Sequence, residues 1–98
     1  MMSDSIEMKD IIRERREELG LTQTQLAHAL GTVCSEFICM VEHGRRSFAL
    51  DNIPRLANVL WLDTDGLCRC ALFEAAPKFY SAAFGGEVPA RPKPTVNP

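Results

Sequence analysis

Helix-stopping and helix-starting residues recur along this chain every ten or so positions, and that spacing limits it to short helices. Gly20 follows the apolar run that begins near Ile6. Thr22 and Gln25 stand three apart in a capping-box pattern that opens a second helix, and Gly31 closes it. A third helix leads out of the polar stretch Thr32–Ser35 and ends at Glu42, His43 and Gly44. Asp51 is positioned to cap a fourth helix, Asn52–Leu60, with Pro54 in its first turn, where a missing N–H costs nothing. Asp63 caps a fifth helix reaching Ala75. Pro77 then breaks the chain and restarts a short apolar segment that Gly85 and Gly86 stop.

Between these stops the apolar positions repeat at helical spacing. Ile6, Met8, Ile11, Ile12 and Leu19 form one face of the first helix, for which Ser3 or Ser5 is a candidate cap. Leu26, Ala27 and Leu30 line the second, and Ile53, Leu56, Ala57 and Leu60 line the fourth. No alternation long enough for a sheet is present. The expected fold is therefore all-α, with five helices, a further short apolar helix and a Pro-rich tail, GEVPARPKPTVNP, expected to be disordered or polyproline-like. The expected divisions fall at 1–63, 64–85 and 86–98.

Ninety-eight residues suffice for one small core but not for a cleft between two lobes. No glycine-rich phosphate loop, G-x-S-x-G or H-E-x-x-H occurs, so no catalytic residue, and no enzyme, is expected. A metal site is not expected either, and no cofactor is assigned. Cys34, Cys39, Cys68 and Cys70 could in principle join His28 or His43, but Cys68-x-Cys70 is tighter than the usual zinc knuckle. The N-terminus lacks the pattern of a secretory signal and no apolar run is of membrane-spanning length, so a cytoplasmic protein with reduced thiols is expected, with no membrane partner.

The segment IRERREELGLTQTQLAHALG, followed by EFICMVEHGRRS and LDNIPRLANVLWLD, resembles the Cro/repressor-type helix-turn-helix family, the XRE family. The resemblance rests on Leu19-Gly20-Leu21-Thr22-Gln23, Leu26-Ala27, Leu30-Gly31, Glu42-x-Gly44-Arg45-Arg46, and Leu56-Ala57 with Leu60. It covers residues 6 to about 67. One departure is that Gly31 to Glu42 is a residue longer than the usual form, as in relatives that carry a lengthened turn before a Phe-hydrophobic pair, here Phe37-Ile38.

The resemblance implies a regulator of transcription that binds double-stranded DNA, a repressor acting on its own promoter and reading an inverted repeat as a homodimer. It places the third helix in the major groove, with Ser35, Glu36 and Met40 at base-reading positions and Thr32, Val33 and Cys39 beside them. Gln23, Arg45 and Arg46 would contact phosphates. Arg16 and Glu42 match an internal ion pair that ties the first helix to the end of the third. Leu72, Phe73, Phe79, Tyr80 and Phe84 exceed what a five-helix domain needs, which assigns them to dimerisation, with folding back onto the first and fifth helices as the alternative. The formal charge of −2 and pI near 5.6 mean that DNA affinity must come from local placement of cations. The same acidity fits a competing class, a protein-interaction module or antitoxin that uses this scaffold to hold a partner protein.

Overall fold

In a computed structural model the chain is described over residues 7–95; Ile6 and the candidate caps Ser3 and Ser5 lie outside these. The order is α1 (Met8–Glu18), α2 (Gln23–Leu30), α3 (Ser35–Glu42), a 3-10 turn (Leu50–Asn52), α4 (Ile53–Leu60), α5 (Thr64–Ala75) and α6 (Pro77–Phe84). The architecture is all-helical, as the spacing of the stops predicts. Among the described residues no helix is long and apolar enough to cross a membrane.

The helix ends follow from local chemistry. At the start of α2, Thr22 Oγ1 accepts the Gln25 N–H at 3.0 Å while Gln25 Oε1 accepts the Thr22 N–H at 2.9 Å, a complete capping box. Asp63 Oδ2 accepts the Gly66 N–H at 2.7 Å and opens α5. Asp51 does not act as a cap: the Asn52 N–H bonds to Ala49 O at 2.9 Å, which draws Asp51 into the 3-10 turn and leaves Asn52 at the head of α4 without a side-chain cap. Pro54 does lie in the first turn of α4.

At the far end of α4 the Leu62 N–H reaches Ala57 O at 2.9 Å and the Trp61 N–H reaches Asn58 O at 3.3 Å, a reversal that puts Trp61 at φ +56. Trp61 is the one non-glycine residue at positive φ among the described residues, in a conformation that glycine usually supplies. Arg15 of α1 holds this end from outside, its Nε donating to Leu60 O at 2.7 Å and its Nη2 to Trp61 O at 3.2 Å. Arg55 does the same for α2, donating from Nε to Leu30 O at 2.9 Å. Both guanidinium groups meet carbonyls at the negative ends of helices.

Ile12, Leu26, Ile38, Ile53, Leu56, Leu60 and Leu67 are fully buried and draw α1 to α5 around one core. Each such side chain contributes about 1.5–3 kcal/mol by leaving water. The Phe37–Phe48 edge contact, with ring centroids 5.1 Å apart, fixes the loop after α3 against that core. The α6 helix packs on α5 through Tyr80, which meets Phe73 edge-on at 5.3 Å and Phe84 at 5.1 Å. Arg69 lies over the Phe84 ring at 4.7 Å.

Residues 86–95 contain no helix and run as extended chain along α5, with Pro89 buried. Lys93 O accepts the Asp63 N–H and Trp61 O accepts the Thr95 N–H, each at 2.8 Å, around an antiparallel bridge between Leu62 and Pro94. The buried Cys70 thiol donates to Ala90 O at 3.3 Å, and Arg91 reaches Glu14 of α1 at 2.9 Å. Gly66 permits the close approach, since a Cβ there would come within 3.0 Å of Pro92 Cα.

Candidate nucleic-acid interface

The α2 and α3 helices pack on each other through Leu26, Ala27, Leu30, Ile38 and Val41, which turns the opposite side of α3 outward. Glu36 and Met40, one turn apart, are exposed on that side, with Ser35 and Cys39 half-exposed beside them. Of the two turn residues expected nearby, Thr32 is exposed, whereas Val33 is half-buried and packs against the core. The predicted positions therefore form one patch, with Val33 at its inner edge.

Arg45 and Arg46 follow directly on the reversal after α3, where the Gly44 N–H bonds to Val41 O and the Arg45 N–H to Met40 O. Both are exposed, and among the described residues neither joins an ion pair. Other arginines are committed elsewhere: Arg15 and Arg55 to carbonyls, Arg16, Arg69 and Arg91 to carboxylates. Two unpaired cations thus stand at the C-terminal edge of the exposed α3 face, so positive charge is concentrated locally in a chain of net charge −2.

Glu42 holds this surface together. Its Oε2 accepts from Arg16 Nε at 2.7 Å, and its Oε1 accepts from Arg16 Nη2 at 3.0 Å and from Gln23 Nε2 at 3.1 Å. Arg16 Nη1 also donates to Leu21 O at 2.8 Å. The Glu42 side chain is 2% exposed and that of Arg16 12%, and the hydrogen bond to Glu42, partly offset by burial, raises the Arg16 pKa from its already high value. Gln23, expected at a phosphate, stands half-buried at the first position of α2 with its amide anchored to Glu42. One carboxylate thereby ties α1, the start of α2 and the end of α3 together.

Sequence reasoning located the outward patch and the ion pair but missed three contacts. Arg15 and Arg55 reach carbonyls far away in the chain, for which a sequence carries no local signal. The third was visible in principle: Cys39 and His43 stand four apart on one helical face, with Sγ and Nδ1 3.6 Å apart. The expected dimerisation residues divide by exposure. Phe79 and Phe84 are 62% and 46% exposed, Leu72 and Phe73 are half-buried, and Tyr80 is buried in the α5–α6 seam.

A family model described as helix-turn-helix matches residues 12–67, more than half of the chain, and runs from Ile12 within α1 to the first turn of α5. An uncharacterized HTH-type transcriptional regulator from Methanothermobacter thermautotrophicus (strain Delta H) is 45% identical over 53 residues, which are 54% of this chain and 75% of that protein. No solved structure matches the chain. With its paired α2 and α3, its outward α3 face and the Arg16–Glu42 link, this chain belongs to the Cro/repressor-type helix-turn-helix family of DNA-binding transcription regulators.

Proposed function

We propose that the protein is a sequence-specific repressor that reads an inverted repeat in its own promoter as a homodimer. The observation that carries this reading is the exposed α3 face bounded by two exposed arginines, Arg45 and Arg46. In it α3 lies in the major groove, with Ser35 and Glu36 at base edges, Glu36 accepting from a cytosine N4 amine and Met40 touching a thymine methyl. Thr32, Val33 and Cys39 border the contact. Arg45 and Arg46 bind phosphates on one side, and the N–H groups at the start of α2, with Gln23, bind them on the other. None of the base-facing side chains is an arginine bidentate to guanine, so groove shape and DNA deformability carry part of the selectivity.

The dimer is supported by the exposed Phe79 and Phe84 of α6, an apolar surface that the chain's own fold leaves in water. Two copies joined through this face present two α3 helices, which matches a two-fold operator. The same surface supports a second reading, in which α6 holds a different protein.

The test is fluorescence anisotropy against duplexes tiling the DNA upstream of the gene, at several salt concentrations. Saturable binding to one inverted repeat, two chains per duplex and weakening with salt, is the expected result. Binding to no duplex at low salt refutes autoregulation, and a single chain per saturated duplex refutes the dimer.

A further inference from the structure

We propose that the cavity between the start of α1, the loop after α3 and the end of α5 binds an amphiphilic monocarboxylate, its apolar body against the core and its carboxylate on Arg46, and that the bound acid competes with DNA. The cavity measures about 340 Å³, within the range of small-molecule sites. Met8, Ile12, Val41, Ile53 and Ala71 line it with buried apolar side chains. The half-buried Phe48 joins them, as does Leu50, a large apolar side chain that the fold leaves 45% exposed at this place.

Four charged side chains complete the lining, Glu7, Lys9, Arg46 and Glu74. The ligand's charge follows from which of them is uncommitted. Lys9 and Glu7 face each other at 3.5 Å. Glu74 Oε2 accepts the Met8 N–H at 3.3 Å, at the positive end of α1. Arg46 is exposed and, among the described residues, makes neither an ion pair nor a side-chain hydrogen bond. Three of the four charges are therefore engaged with one another or with a helix end, and the fourth is a cation.

That balance selects a single negative charge. An amine would meet no uncommitted carboxylate, and a dianion would set two charges against one guanidinium with Glu7 and Glu74 close by. A monocarboxylate matches the fork of Arg46 and can be held by two parallel hydrogen bonds. An aliphatic or aromatic body then covers apolar surface that is otherwise in contact with water.

The effect on DNA rests on the reading above, in which Arg46 binds a phosphate. One guanidinium serves either the acid or the duplex, so each weakens the other by the same factor.

The probe is octanoate, with octylamine and octanol as its cationic and neutral counterparts, titrated into the full ¹⁵N-labelled chain and followed by amide NMR. A dissociation constant on the order of 1 mM is expected for a ligand of this size. Saturable shifts should centre on the amides of Ile12, Val41, Ile53 and Ala71. Arg46→Gln should weaken octanoate roughly fivefold, the yield of an exposed ion pair, and leave octanol unchanged. Ala75→Phe, at an exposed position in the lining, should block both while the chain stays folded by circular dichroism. Shifts confined to α6, octylamine binding as tightly as octanoate, or equal octanoate affinity in wild type and Arg46→Gln overturns the proposal. Movement of the same lining amides on dilution without ligand gives the cavity to a second copy of the chain and overturns it too. In anisotropy, octanoate at ten times its dissociation constant should weaken the duplex by up to about tenfold relative to equal acetate. If octanoate fills the cavity and duplex affinity matches that in acetate, the competition is wrong. If the protein binds no duplex in acetate, the failure belongs to the DNA reading, and the NMR shifts still decide the site.

Discussion

Replacing Glu42 with alanine removes the acceptor for three hydrogen bonds at once, two from Arg16 and one from Gln23. Arg16 keeps its bond to Leu21 O but becomes an uncompensated cation that is 12% exposed. Breaking a buried pair on one side costs about 3–5 kcal/mol. A domain of this size has roughly 5–15 kcal/mol in total, so E42A should retain a folded state with little margin. At about 4–8 °C per kcal/mol, the midpoint of thermal unfolding followed by circular dichroism should fall by at least about 12 °C. E42Q, which keeps the shape and an acceptor but not the charge, should fall between E42A and wild type. R16M/E42L, with no charge left to strand, should recover most of the loss, because apolar replacement of a whole buried pair is often close to neutral. A loss below about 1 kcal/mol in E42A, the behaviour of a solvated pair, would refute the argument, as would a double variant no better than the single one.

Three further outcomes are expected. Thr22→Ala should cost about 1 kcal/mol in urea denaturation, because it removes the Oγ1 that accepts the Gln25 N–H and leaves only the half of the α2 capping box that the Thr22 backbone N–H donates. R45A/R46A should leave stability within about 0.5 kcal/mol of wild type while lowering the salt slope of DNA binding by about 2 per chain; an unchanged slope would remove both residues from the phosphate contact. Burial holds the Cys70 thiol neutral in the fold, with its pKa raised from 9.0 to about 11, so the unfolded chain loses that proton first. The stabilisation is complete below pH 9 and disappears as pH rises to 11, a change of about 2 kcal/mol that pH-dependent urea denaturation should show in wild type and not in Cys70→Ala.

What could be read from the sequence was what is decided within a few residues. Thr22 with Gln25, Asp63 with Gly66, and Pro77 each set a helix end through neighbours no more than four positions away. Asp51 misled because it satisfies the same rule, yet the turn after Ala49 had already claimed its backbone. Trp61 gave no warning of its left-handed backbone; the reversal is held by Arg15, 46 residues earlier in the chain. The outward α3 residues followed from helical spacing once Ile38 and Val41 were assigned inward. The Arg16–Glu42 pair was visible only through the family resemblance, because nothing local connects two charges 26 residues apart. For α6 the apolar composition was clear, but Tyr80 turned inward and Phe79 outward according to how the helix sits on α5, which only the packed chain determines.

The extended segment along α5 also bears on the order in which the molecule forms and opens. The helices contact mainly their neighbours in sequence, α2 with α3, α4 with α5 and α5 with α6, and such contacts close quickly. The link from Arg91 to Glu14 spans 77 residues and joins partly solvated side chains, so it can form only after the helices are in place. The segment is then the last part to dock and the first to detach, a unit of lower stability than the helical body. The backbone amides of Asp63 and Thr95, whose acceptors are Lys93 O and Trp61 O, record its opening, and they should exchange with deuterium well before those of α4.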